Sequence, residues 1–223
     1  MDARRTLATG VLLVAWAYAL PATSRAAVIY ANPPDLSNTQ DGQCPYNSVC
    51  GAGMVYAAQE FTLAGPVTIT SVGFNSIVLG SGQTGTAANY QFLDANGAGG
   101  LPGTLITSGA GAPLTATSGP VGARFASTNY SFDITPLMLA AGDYYVSIQE
   151  VTTNSSDFLS RGSAASGAAE SVDGGVTYSA GYAGFDSIAV SLKGGTAIPE
   201  PATLVVLGVG LLGLAMARRK ASA

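Results

Sequence analysis

The sequence predicts an all-β protein, a jelly-roll-like β-sandwich set between two short terminal segments of different character. Three observations carry this. Short runs rich in β-branched and aromatic residues recur through residues 27–196, separated by clusters of Gly, Pro, Asn and Asp. That region shows no helical periodicity. Two runs alternate cleanly: Tyr144, Val146 and Ile148 share one face of their strand, and Ile188, Val190 and Leu192 share one face of theirs, with Ser187, Ala189 and Ser191 opposite.

In chain order, strands are predicted at Val28–Ala31, Ala57–Leu63, Val67–Phe74, Ser76–Leu79, Tyr90–Leu93, Thr104–Thr107, Tyr130–Ile134, Asp143–Val151, Val176–Ser179 and Asp186–Leu192. In Val67–Phe74 the apolar set moves from Val67 and Ile69 to Val72 and Phe74. This one-residue shift predicts a β-bulge near Thr70–Ser71. The Gly/Ala/Ser-rich stretches 80–88, 94–103, 108–122 and 162–175 are expected as loops. Many short strands with Gly-rich turns point to two packed sheets. The absence of a fixed-period repeat disfavours a solenoid or propeller. About 170 residues suffice for one domain with its own core, placed at 27–192 with a linker at 193–198.

Hydrophobic residues make up 48% of the 223 and charged residues only 10%, which argues against a coiled coil or a charged disordered chain. Six of the nine basic residues lie at the ends: Arg4, Arg5, Arg25, Arg218, Arg219 and Lys220. Residues 27–196 keep three basic residues (Arg124, Arg161, Lys193) against eleven acidic ones, a net of minus eight. A surface this acidic repels a phosphate backbone and excludes nucleic acid as a partner. It also repels anionic polysaccharide unless divalent cations bridge the two.

Residues 1–26 read as a secretory signal peptide. Arg4 and Arg5 form the basic start, Leu7–Leu20 the apolar core, and Pro21 breaks it. Ser24 and Ala26 occupy the −3 and −1 positions of a cut between Ala26 and Ala27. In an exported chain the closely spaced pair Cys44 and Cys50 is expected to form a disulfide. The spacing is not that of a redox pair, and no histidine exists to complete a metal site. At the other end, Pro199-Glu200-Pro201 precedes the apolar run Ala202–Ala217 and the basic cluster Arg218-Arg219-Lys220. The run makes about 24 Å of helix and is expected to be a transmembrane helix with its basic tail on the cytoplasmic side.

This tail resembles the PEP-CTERM sorting signal of Gram-negative bacteria. The resemblance rests on Pro199-Glu200-Pro201, the adjoining Ala202-Thr203, the glycine-bearing apolar run and the terminal Arg218-Arg219-Lys220. It implies recognition by an exosortase-type processing enzyme and a setting of exopolysaccharide and biofilm. It makes Glu200 a recognition element and not a catalytic acid. The middle also resembles domains that often precede such tails. The residues carrying that likeness are Ala58–Leu63, Ile69–Phe74, Gly100–Leu105, Tyr130–Ile134 and Leu139–Ile148. These imply a fold and not an active site.

The chain has no histidine, which removes Ser-His-Asp and Cys-His catalysis and makes a zinc or copper site improbable. No phosphate-binding glycine fingerprint is present. Glu60, Asp133, Asp143, Glu150 and Asp186 are the carboxylates from which a glycoside-hydrolysing pair would have to come, although solvated or turn carboxylates are the simpler reading. Asp94 and Asn96 could offer oxygen ligands to calcium, against the simpler reading of an Asn-Gly turn. No other cofactor is expected. Tyr145, Tyr178, Tyr182 and Phe185 are candidates for an exposed sugar-binding platform, against core packing. The only tryptophan, Trp16, lies in the leader.

The expectation is therefore a non-enzymatic protein of the cell envelope, exported and anchored at its C-terminus before processing. Its role would be structural or adhesive within an exopolysaccharide or biofilm matrix. The alternatives are a carbohydrate-binding module, with or without calcium, and a glycan-acting enzyme.

Overall fold

The structure is a computed structural model that describes residues 26–36, 55–79, 85–112, 114–121, 125–152, 157–181 and 186–196. Its strands are β1 (Ala27–Asn32), β2 (Tyr56–Leu63), β3 (Val67–Leu79), β4 (Gly85–Asp94), β5 (Leu105–Gly111), β6 (Thr115–Val121), β7 (Phe125–Leu139), β8 (Gly142–Thr152), β9 (Asp157–Leu159), β10 (Ala168–Ser171), β11 (Ser179–Ala180) and β12 (Val190–Thr196). A single 3-10 turn covers Ala98–Gly100.

Two antiparallel sheets form the sandwich. Sheet one runs β1-β12-β3-β7-β6, with β9 pairing the far half of β3, and sheet two runs β11-β10-β2-β8-β4-β5. The alternation read from the sequence packs the space between them. Tyr144, Val146 and Ile148 of β8 face Val72, Phe74, Ile188, Val190 and Leu192 within one core cluster. Phe61, Phe92 and Tyr144 knit its centre, with ring centroids 6.2 Å apart for Phe61–Phe92 and 5.8 Å for Phe61–Tyr144. The register of β3 on β7 slips between Ile69 and Ser71, where the apolar pattern shifts phase. The ladder of β3 with its other neighbour, β12, slips at the same place: Lys193 pairs with Ser71 and Gly194 with Ile69, so Thr70 is the extra residue.

Several boundaries differ from the sequence reading. Val67–Phe74 and Ser76–Leu79 are one strand, because Asn75 stays in the ladder opposite Asn129 of β7. The expected loop 108–122 contains β6, an edge strand of small residues that gains its order by pairing with β7. Likewise 162–175 contains β10, which pairs with β2, and 80–88 gives its last residues to β4. Val176–Ser179 is not a strand; only Ser179 enters β11, because a carboxylate-closed turn occupies 173–177. The ladder of the last strand begins at Val190, after an isolated bridge at Ile188, and runs on to Thr196, so residues 193–196 are strand and not linker.

Pairing places both chain exits at one pole. Gly194 lies opposite Ala27, and Thr196 opposite Val67, which in turn lies opposite Leu139. The short connections β2–β3 and β7–β8 sit there too, since Leu63 pairs with Gly142. At the other pole Leu79 pairs with Phe125, and Gly85 with Thr152. Residues 80–84, 122–124 and 153–156 lie outside the described residues.

Candidate functional site

The two outer faces of the sandwich differ. Sheet two is covered: Tyr145, Ala58, Leu93 and Ala169 form a second small core with Ala95, Leu101 and Tyr178 packed against it. Tyr145 is only 4% exposed and its hydroxyl donates to Gly100 O at 3.0 Å. The Tyr178 hydroxyl lies 2.8 Å from both Gln91 Oε1 and Ser147 Oγ; its single proton goes to Gln91, and the Ser147 hydroxyl donates to it. Burial, with Glu60 nearby, pushes the Tyr145 phenol up to about 12. Burial likewise takes Tyr178 to about 12, against the opposing pull of the Ser147 bond. Both tyrosines belong to the cover of sheet two and not to an exposed platform. Tyr182 and Phe185 lie outside the described residues.

The outer face of sheet one carries a trough of about 350 Å³ that crosses β1, β12, β3, β7 and β6, from Pro33 and Pro34 beyond β1 to Thr115 and Thr117 on β6. Four strand spacings make it about 19 Å across. Its floor is polar because alternation sends Val190, Leu192, Tyr130 and Phe132 into the core and leaves Ser191, Lys193, Asn129 and Ser131 outside. Gly73 keeps the middle of the floor open, since a Cβ there would lie 2.5 Å from Ser191 Oγ. Beneath the floor, Asn75 is 2% exposed and fully engaged. Its amide donates to Ser127 Oγ at 2.8 Å and Asn129 Oδ1 at 2.9 Å, and its carbonyl accepts from the Ser127 and Ser160 hydroxyls. Asn75 thus fixes the Asn129 amide. Within the described residues, the hydroxyls of Thr115, Thr117, Ser131 and Ser191, the Asn129 amide nitrogen and Lys193 Nζ make no hydrogen bond of their own. They are water-facing donors and acceptors, of which the Asn129 amide is held in place by Asn75, and Lys193 is the one charge among the described lining residues.

Sequence reasoning missed this site. The side carrying Ser187, Ala189 and Ser191 is legible in the alternating run that leads into β12, but the sequence reading takes the trough residues on β6 as loop.

The carboxylates are dispersed. Asp133 sits exposed on sheet one, and Asp143 accepts from Thr62 Oγ1 at 2.7 Å at the base. Asp186 is exposed, and Glu60 lies on β2 beside Tyr145. Glu150 is enclosed in the interior, 1% exposed, and accepts from Ser76 Oγ at 2.8 Å. Asn96 spends its amide on its own turn: Oδ1 accepts from Thr104 N at 2.9 Å and Nδ2 donates to Thr104 Oγ1 at 3.1 Å. That leaves Asp94 as the other member of the expected calcium pair, and no group of three or more acidic, Cys or His side chains gathers among the described residues.

β1 begins at Ala27, the residue after the expected leader cut, and Ala26 is exposed beyond the sheet. Cys44, Cys50, Pro199, Glu200, Pro201, Arg218, Arg219, Lys220 and the expected membrane helix 202–217 lie outside the described residues. Among the described residues no helix is long and apolar enough to cross a membrane.

Fold and tail together define a class: a β-sandwich protein carrying a C-terminal sorting segment. Residues 197–220 match the family model of the PEP-CTERM protein-sorting motif. The match starts directly after Thr196, the last residue of β12. The motif implies processing by an exosortase and sorting to the cell envelope, and so supports an exosortase-sorted surface protein. No curated protein matches the chain.

Proposed function

We propose that this is a non-catalytic, adhesive or structural protein of the cell surface whose first sheet holds exopolysaccharide on its outer face. The observation that carries the reading is the polar trough: uncharged hydroxyl and amide groups in fixed positions suit a polyhydroxylated chain, while Pro33 and Pro34 offer an apolar rim. Lys193 makes the trough locally less acidic than the rest of the domain, which favours neutral or sparsely charged polymer.

The topology supports the same reading. The strand order alternates between sheets, β1-β12-β3-β7 against β2-β8-β4-β5, which is the connectivity of a jelly-roll-like sandwich. An apolar helix at 202–217 would anchor the base before processing. The trough then faces sideways and the opposite pole faces away from the envelope.

The test is binding of the full-length protein to the producing cell's own exopolysaccharide, with and without calcium. Saturable binding is expected, at least tenfold weaker in Thr117→Trp and Ser131→Trp, which fill the trough from exposed positions. Undiminished binding in both variants would remove the trough from the reading. Binding that requires calcium would direct attention to Asp94. No binding at all would leave a purely structural surface domain.

A further inference from the structure

We propose that an apolar cleft at the base of the sandwich seats the first residues of the sorting segment, Ala197-Ile198-Pro199, with the Ile198 side chain as its occupant. The cleft measures about 400 Å³ and is lined by Val28 and Ile29 of β1, Leu63, Pro66 and Val67 around the β2–β3 turn, and Gly194 of β12, with no charged side chain in its wall. Val28 is 61% exposed at its rim, a large apolar group left facing water.

The position of the chain's continuation selects the occupant. Thr196 pairs with Val67, itself part of the wall, so Ile198 stands two residues beyond, within about 7 Å of extended chain. On the other side of β12, the partner strand β1 starts only at Ala27, opposite Gly194. Among the described residues, no strand pairs with β12 on that flank past Gly194. Pro199 has no N–H to give to a ladder, so strand pairing cannot run past it. The chemistry matches as well: Ala, Ile and Pro are uncharged, and the first charge of the segment is Glu200. Gly194 supports the arrangement, since a Cβ there would collide with Thr68 O and come within 2.9 Å of Ile29 Cδ1. The missing side chain lets β12 run close to β3. The consequence is that the Pro-Glu-Pro motif emerges from the base of a folded domain and not from a slack tether. A processing enzyme would then read the motif and the fold together.

The processed chain offers a clean reporter, because Trp16 of the leader is the only tryptophan. In the leader-cleaved chain retaining its tail, Ile198→Trp is expected to emit at short wavelength and to resist quenching by iodide. Adding Val28→Asp should then expose it, raising quenching several-fold. Val28 is largely exposed, so this change leaves the core intact. Gly65→Asp is a second such variant, since a Cβ at Gly65 meets nothing within 4 Å. Solvent-like emission with full quenching from the outset would overturn the proposal. So would a shielded indole that neither substitution moves, which would place it in detergent or against a second copy of the chain.

Discussion

Tyr145 and Tyr178 show how much a single side chain depends on what lies above it. Each phenol is pushed from 10.0 up to about 12, in both cases first by burial. The folded state therefore holds its protons longer than the unfolded chain, and stability falls as pH rises from about 10 through 12. Phenolate absorbance should show two tyrosines titrating last, together with loss of the fold. Tyr178→Phe strips Gln91 Oε1 of its donor and the Ser147 hydroxyl of its acceptor, and is expected to cost about 1–3 kcal/mol in chemical denaturation. Asp173 works in the opposite direction. It accepts from the Ser171 hydroxyl, the Thr177 hydroxyl and backbone, and Val176 N, which together hold its carboxyl well below the usual carboxylate range. Gly174 and Gly175, at φ of +82° and +85°, allow the chain to wrap around it. Its contribution is present above the unfolded carboxylate value near 4 and is lost as pH falls toward the folded value. Asp173→Ala should abolish that acid-side loss and increase proteolytic cutting at 173–177. The residue types at this turn were plain in the sequence; the closure of five bonds on one carboxylate was not, because it depends on backbone direction.

Among the elements, those with strong alternation were legible and those made of small residues were not. β8 and β12 declare themselves because their inward positions are large and apolar. β6, with sequence Thr-Ala-Thr-Ser-Gly-Pro-Val, has little intrinsic preference and becomes a strand because β7 offers it a ladder. β10 is ordered in the same way by β2. The bulge in β3 was legible because a phase slip in the hydrophobic pattern has one cheap structural solution. Small residues also permit close approach between the sheets. A Cβ on Gly111, at the end of β5, would overlap the Phe132 ring of β7. Gly111→Ala is therefore expected to destabilise by about 1–3 kcal/mol, measured by thermal or denaturant unfolding, with Phe132→Leu in the same chain restoring part of the loss.

For the whole molecule, stability rests on one core between the sheets. Phe92 is 0% exposed at its centre, and Phe92→Ala should cost about 3–5 kcal/mol, a large share of the total stability of a domain this size. The same variant is the control for the binding test, since it weakens the fold without touching the trough. The arrangement of the poles ties fold to placement. The first and last described strands, β1 and β12, have Ala27 and Thr196 at the same end of the sandwich, and the sorting motif follows directly after Thr196.

The sequence by itself determined the β class, the main alternating strands, the bulge, the acidic middle and the sorting tail. These are properties of periodicity, composition and short contiguous motifs, and they survive without knowledge of what packs on what. Only the tertiary structure decided that Tyr145 and Tyr178 are cover, that Ser131, Ser191, Asn129 and Thr117 share one trough, and that the tail departs beside an apolar cleft. Each of these depends on residues far apart in the chain being brought together by strand pairing, and a one-residue change of register would have reversed which side of the sheet they face.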